Sequence, residues 1–135
     1  MALPVTAALA AALGALLLLL AIDTVRSRFR TKTAFGLGED ERLTSASRAH
    51  GNLSEHAPIV IILVGLLELS RADHMGLLAV AGTFLLARVL HAAGLYMKAP
   101  EGGGPPWPRA VGVVLSWLVI AALCGWTLMM LQGNL

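Results

Sequence analysis

The chain has few charged residues and only one cysteine. Charged residues make up 13% of its 135 residues, whereas 57% are hydrophobic, and the mean hydropathy is +0.76. A soluble domain has about 25% charged residues, so this composition indicates a membrane protein without an additional soluble domain. The single cysteine, Cys124, excludes an intramolecular disulfide and a cysteine-based metal site. We interpret it as a small apolar filler.

Charge is absent altogether from residues 3–22 and 110–131. Each of these runs is long enough to cross a hydrocarbon core of about 30 Å. No basic residue precedes the first run, which favours a spanning helix over a cleaved signal peptide. The run 57–70 is too short to span alone, so its helix must extend backward through polar residues. The sequence predicts an all-α, four-helix membrane bundle in one domain, with spans at about 3–22, 45–70, 75–97 and 110–131.

Basic residues are absent from both ends of the chain and from most of the second connection. The net charge of +2 is too small to indicate a nucleic-acid surface. Lysine and arginine mark cytoplasmic loops, and they concentrate in the first and third connections: Arg26, Arg28, Arg30, Lys32, Arg42, Arg48, Lys98 and Arg109. The pattern predicts that these two connections face the cytoplasm and that both termini lie on the other side.

Two polar clusters interrupt the apolar helices. A charged group at a helix centre costs about 2.5–3.5 kcal/mol in a membrane, so such groups usually mark a site. Arg48, Asn52 and Glu55 stand at i, i+4 and i+7, on one helical face, and Arg88 and His91 stand at i and i+3 on the third span. If the two faces meet, Glu55 and Arg88 can neutralise each other. Arg48 and Asn52 then remain as donors for an anionic ligand.

Two other interpretations of the clusters remain open. Buried charge pairs also fix helix register without binding anything. A metal site made by His50, His56 and His91 is disfavoured, because the first two are six residues apart and share no helical face. We therefore expect no metal. Glu68, at the other end of the second span, is expected to reach the membrane interface or to pair with Arg71.

The two clusters resemble the signatures of the MAPEG family, the membrane-associated proteins in eicosanoid and glutathione metabolism. Arg48-Ala-x-x-Asn52-x-Ser54-Glu55-x-x-Pro58 is similar to the second-helix signature of the family, and Ala87-Arg88-x-x-His91 is similar to the third-helix signature. The segment 30–48 most resembles a short bacterial branch. The resemblance covers essentially the whole chain. It implies a homotrimer in a bacterial inner membrane, with glutathione bound between subunits near the cytoplasmic surface.

The resemblance also implies which residues bind glutathione. From one subunit these are Arg48, Asn52, Glu55, His56, Arg88 and His91, and from the adjacent subunit Arg26 and His50. Well-known transferases of the family have tyrosines after the third-helix arginine, whereas this chain has His91 and Leu95. Their third-loop arginine corresponds to Gly102–Gly104 here. Only Arg109 and His91 are therefore left as catalytic candidates.

The resemblance implies a glutathione-dependent transferase or peroxidase that acts on lipophilic electrophiles. Glutathione would be the co-substrate, and the electrophile would arrive through the bilayer, where membrane lipids surround the trimer. Because the usual catalytic side chains are missing, enzymatic activity is uncertain. A non-catalytic membrane protein that binds a lipid or another ligand on the same fold is the alternative. A small four-span transporter is a third hypothesis.

The distribution of lysine and arginine gives a testable topology. A cytoplasmic reporter fused after Gly103 should be active, and a periplasmic reporter fused there should be silent, because both flanking basic residues favour the cytoplasm. The same pair of reporters fused after Leu135 is the control and should give the reverse result. Periplasmic activity after Gly103 would contradict the predicted orientation.

Overall fold

Four long helices form the whole fold of residues 2–133, the part of the chain that the computed structural model describes. The chain ends, which the topology prediction also concerns, lie outside it. The helices are α1 (Pro4–Thr31), α2 (Glu41–Leu69), α3 (His74–Leu95) and α4 (Trp107–Gln132), and no strand is present among the described residues. All four are long and apolar enough to cross a membrane. The predicted all-α bundle of four membrane helices is confirmed.

Local sequence signals set where the helices begin. Pro4 and Pro108 occupy the first turns of α1 and α4, where a missing N–H costs nothing. The Asp40 carboxylate accepts a 2.7 Å hydrogen bond from the Leu43 N–H at the start of α2, and Asp73 caps α3 in the same way. Because α2 begins at Glu41, the polar cluster 48–58 is entirely helical.

The bundle is built from two helical hairpins. Helix α1 packs most extensively on α2, and α3 packs most extensively on α4. Between the hairpins lies an apolar core whose most deeply buried large side chains include Leu13, Leu53, Phe84 and Leu123. The outer faces carry exposed leucine, valine and isoleucine side chains, as expected for helices surrounded by lipid.

Glu68 links the end of α2 to the beginning of α1. Its carboxylate accepts hydrogen bonds from the backbone N–H groups of Val5 and Thr6, both at 2.8 Å, and from the Thr6 hydroxyl at 2.6 Å. The first turn of α1 has no acidic residue and no side-chain cap of its own, so Glu68 supplies both the cap and a negative charge at the positive end of the helix. The expected pairing of Glu68 with Arg71 is wrong, because the Glu68 carboxylate instead accepts hydrogen bonds from the start of α1, 63 residues away.

A second polar contact ties three helices together at the opposite end of the bundle. Arg42 of α2 forms an ion pair with Asp23 of α1 at 3.0 Å, and the Tyr96 hydroxyl, just after α3, donates to Asp23 at 2.7 Å. The Arg42 guanidinium lies 6.0 Å from the centre of the Tyr96 ring. Partial burial and the hydrogen bond to Asp23 raise the pKa of the Tyr96 phenol, so the phenol keeps the proton that it donates.

Removing the Glu68 carboxylate should destabilise the bundle. Glu68→Ala leaves two N–H groups of α1 without a partner, and losing a helix cap costs about 1 kcal/mol. We expect a lower midpoint of thermal unfolding in detergent. Glu101→Ala removes a carboxylate from an exposed connection and is the matched control. Equal midpoints for the two variants would mean that the cap contributes nothing to stability.

Candidate functional site

The buried guanidinium of Arg88 is the centre of the candidate site. Arg88 is only 3% exposed. Its Nη1 donates to the Ser116 hydroxyl of α4 at 3.3 Å, and its buried Nε has no hydrogen-bond partner among the described residues. A buried cation without a carboxylate pays the full cost of leaving water. Arg88 therefore has unused donor capacity for an anion.

The expected neutralisation of Arg88 by Glu55 is not present within the chain. Glu55 is exposed on α2, and the ion pairs formed by the described residues are Arg30–Asp40 and Arg42–Asp23. The expectation assumed that the face of α2 that carries Glu55 meets α3. Arg88 instead points toward α4, because α3 packs far more closely on α4 than on α2.

His91 lies one turn from Arg88 and is equally buried. Its Nδ1 is 3.4 Å from the backbone carbonyl oxygen of Arg109. Because a carbonyl only accepts, this contact favours the tautomer with the proton on Nδ1. The Nε2 atom is buried and has no partner within residues 2–133. In the neutral imidazole Nε2 is an acceptor that no described residue uses.

A close approach of α3 and α4 creates these contacts. A methyl group placed on Gly112 would lie 2.6 Å from both the His91 backbone nitrogen and the Ala87 carbonyl oxygen. Only glycine fits there, and Gly94 of α3 has the same relation to Arg109. The Ser116 hydroxyl donates to the Gly112 carbonyl at 2.7 Å, which leaves its lone pairs to Arg88. The sequence interpretation missed Gly112 and Ser116, although small residues at i and i+4 are a known sign of close helix packing in membranes.

The polar residues of α2 divide between two surfaces. Asn52 and His56 are half-buried, and His56 interacts electrostatically with His91 of α3. The His56 ring is held by a 2.8 Å hydrogen bond between its Nδ1 and the Asn52 carbonyl oxygen. Arg48 and Glu55 are exposed on the outer face. One chain thus brings His56 toward the third-helix cluster but leaves Arg48 and Glu55 outside.

The remaining candidates lie apart from this cluster. His50 is half-buried and stands two positions from Arg48, about 200° around the helix. Arg26 is exposed on α1, and Arg109 is exposed in the first turn of α4. Within the described chain, neither arginine forms an ion pair. Arg109 offers its carbonyl to His91, whereas its side chain remains available at the surface.

An open groove adjoins Arg109 at the end of the α3–α4 hairpin. Its volume is about 590 Å³. The lining is mostly apolar and includes Leu95, Met97, Pro106, Arg109, Val113 and Val114. A groove of this kind suits a lipophilic molecule. Its one cationic lining residue, Arg109, is also the residue whose backbone carbonyl contacts His91.

Comparison with known proteins identifies the family. A family model described as MAPEG matches residues 6–129. The chain belongs to the MAPEG family. It is 35% identical over 115 residues to the inner membrane protein YecN of Escherichia coli strain K12, an overlap of 84% of this chain and 82% of YecN. YecN of E. coli O6:H1 matches equally well. With four spanning helices, these relatives support an integral protein of a bacterial inner membrane.

Filling the glycine contact should break the MAPEG site. Gly112→Ala forces α3 and α4 apart, and overpacking a core typically costs about 1–3 kcal/mol. We expect a lower thermal midpoint in detergent. Gly125→Ala is the matched control, because a methyl group at Gly125 on the same helix meets nothing within 4 Å. Equal behaviour of the two variants would show that the α3–α4 contact tolerates a wider separation.

Proposed function

We propose that this MAPEG protein is a glutathione-dependent transferase or peroxidase that acts on lipophilic electrophiles and whose site is shared between subunits of a homotrimer. The observation that carries the proposal is a set of three charges on α2 and α3 that no ion pair within the described residues neutralises. Arg48 and Glu55 are exposed on a helix that spans a membrane, while Arg88 is buried without a carboxylate. Both situations are costly in isolation, and both are relieved by a polar ligand between subunits.

The outer face of α2 supports the shared site. Charged side chains at membrane depth almost always face protein or a water-filled cavity, not lipid. A neighbouring subunit that covers this face would enclose Arg48 and Glu55 beside Asn52 and His56. Arg26, exposed on α1, would then reach in from the neighbour. Helix α1 offers alanine and glycine on its outer face for such contact, at positions 8, 11, 14 and 15.

Glutathione matches this set of side chains. It carries two carboxylates, and the fork of an arginine such as Arg48 binds a carboxylate through two parallel hydrogen bonds. Asn52 supplies an amide for the peptide groups. Its thiol must become a thiolate to attack an electrophile, and a drop of one unit from the ordinary thiol pKa requires about 1.4 kcal/mol of preferential stabilisation. The unused donor of Arg88 is proposed to supply it, and the free Nε2 of His91 is proposed to accept the thiol proton.

The proposed reaction proceeds at the boundary between the polar cluster and the apolar groove. A lipophilic electrophile enters the groove beside Arg109 from the bilayer. The thiolate sulfur forms the new bond to the electrophilic carbon, and the leaving group departs with the bonding electrons. With a hydroperoxide, the sulfur attacks the distal oxygen, the O–O bond breaks, and the alkoxide takes up a proton. A second glutathione then reduces the resulting sulfenic acid, which gives glutathione disulfide and water. Arg109, at the rim, stabilises the departing anion.

A non-catalytic ligand-binding function is the second candidate, and a specific contact favours it. The one tyrosine of the chain, Tyr96, donates its hydroxyl to Asp23, so it is occupied in holding helices together. The third connection has glycine with positive φ at positions 103 and 104 in place of an arginine. A protein with this arrangement would bind glutathione and a lipophilic molecule without activating the thiol.

Glutathione binding should depend on Arg48. A hydrogen bond to a charged group contributes about 1.5–3 kcal/mol, so Arg48→Ala should raise the Kd for glutathione about tenfold or more, as measured by calorimetry on purified protein. Arg71→Ala removes an exposed arginine from the opposite end of the bundle and should leave the Kd unchanged. Equal affinity in wild type and Arg48→Ala would eliminate the proposed pocket.

Thiolate formation separates the two candidate functions. The ultraviolet absorbance of the thiolate, followed against pH with glutathione bound, should reveal a thiol pKa below the ordinary value of about 8.5. Arg109→Ala should reduce turnover while leaving glutathione affinity nearly intact. Tight binding without any thiolate near neutral pH would favour the ligand-binding function.

The shared site also requires a particular assembly. Native mass spectrometry in mild detergent should show three chains, because Arg26 and His50 are proposed to act from a neighbouring subunit. Glu55→Leu, which makes the outer face of α2 apolar, should still assemble but should weaken glutathione binding. A monomer under all mild conditions would contradict the shared site.

A further inference from the structure

The half of α1 nearest the first connection has an apolar stripe that no other part of residues 2–133 covers. Leu18, Ile22, Val25 and Phe29 follow one another at spacings of four, three and four residues, which places them on one helical face. Their exposed fractions are 61%, 39%, 50% and 80%. The stripe continues past Ile22, where the charge-free run of the sequence ends.

The length of α1 places the end of this stripe at the membrane surface. Helix α1 has 28 residues and is therefore about 42 Å long, whereas the hydrocarbon core is about 30 Å thick. The excess matches the headgroup layer. Val25 and Phe29 consequently lie where acyl chains give way to phosphate groups. Phe35, in the connection that follows, is 93% exposed, and phenylalanine is among the apolar side chains that insert at the boundary between headgroups and acyl chains.

A preformed groove of about 440 Å³ lies along the stripe. It is lined by Val25, Arg28, Phe29, Lys32, Thr33 and Ala34. The Arg28 Nη1 donates to the carbonyl oxygens of Thr33 at 3.5 Å, Ala34 at 3.2 Å and Gly36 at 3.0 Å. These three bonds fold the connection back against the helix end and fix one wall of the groove.

The groove has a cationic rim and no acidic residue in its lining. Lys32 ends α1 in a left-handed conformation and lies on the same face as Phe29, three positions on. It is exposed and forms no ion pair with a described residue. Arg30, by contrast, is already paired with Asp40 at 2.7 Å. Apolar walls with one free ammonium group at the rim complement a molecule that has an acyl chain and an anionic head.

We propose that this groove binds an anionic phospholipid. An acyl chain lies along Val25 and Phe29, the phosphate accepts hydrogen bonds from the Lys32 ammonium, and Phe35 enters the headgroup layer beside it. A second copy that met the groove with this same segment of α1 would suit it less well, because Arg26, Arg28, Arg30 and Lys32 of the two copies would bring like charges together. The assignment concerns the half of α1 nearest the first connection, whereas the alanine and glycine positions proposed for subunit contact, 8, 11, 14 and 15, lie in the other half of the same face.

Native mass spectrometry with defined lipids tests the assignment. The intact, delipidated assembly is titrated with phosphatidylglycerol or with phosphatidylcholine, and bound lipids are counted. A lysine near an anionic lipid surface contributes about 1 kcal/mol, so wild type should prefer phosphatidylglycerol about fivefold and Lys32→Gln should lose that preference. Lys98→Gln removes an exposed lysine from the third connection and should keep it. Equal occupancy of the two lipids in wild type, or equal loss in both variants, would overturn the assignment.

The apolar wall is tested by a second matched pair. Phe29→Ala should reduce binding of both lipids, whereas Leu19→Ala, which removes another exposed side chain of α1 that lies off the stripe, should not. Circular dichroism and the elution volume in detergent establish that both variants are folded. If Phe29→Ala dissociates the assembly and leaves lipid binding intact, the stripe is an interface between copies and the lipid assignment is wrong.

Discussion

The close contact between the backbones of α3 and α4 is the constraint on which the polar interior depends. Because residue 112 is a glycine, α4 lies close enough to α3 for the Ser116 hydroxyl to contact Arg88 and for the Arg109 carbonyl to contact His91. Buried polar groups in a membrane protein must find partners inside the protein. If α4 stood farther away, Arg88 and His91 would lose the intramolecular contacts that hold their side chains in place. Gly112 therefore determines both how closely α3 and α4 pack and how the Arg88 and His91 side chains are held.

The polar residues of this MAPEG protein differ in how completely one chain satisfies them. Glu68, Asp23 and Arg42 are matched within the chain. Arg88 is only partly matched, and Glu55 forms no ion pair within the described residues. Polar side chains with partners inside the chain stabilise the subunit, whereas those without such partners are available to a ligand or to a neighbouring subunit. A polar ligand and a neighbouring subunit are the two candidates, and the proposed site uses both.

The sequence predicted the fold well because its signals are local. Runs without charge marked the spans, and the i, i+4, i+7 spacing of Arg48, Asn52 and Glu55 described a real helix face. It failed where a contact joins distant parts of the chain. Glu68 binds the backbone N–H of Val5, which is 63 positions away, and no local sequence pattern predicts that contact. The expected Glu55–Arg88 pair required a knowledge of which faces meet. The third-helix arginine instead meets Ser116, a residue that looks unremarkable in an apolar run.

The two polar contacts between α1 and α2 lie at opposite ends of the hairpin. Glu68 holds the start of α1, and the Arg42–Asp23 pair holds it near the other end. A helix fastened at two separated points cannot slide along its neighbour by one turn, about 5.4 Å, without breaking both contacts at once. The register of α1 against α2 is therefore fixed, and the two helices form one rigid unit. A rearrangement that exposed the Arg88 cluster without breaking these two contacts would move α3 and α4 relative to α1 and α2 together.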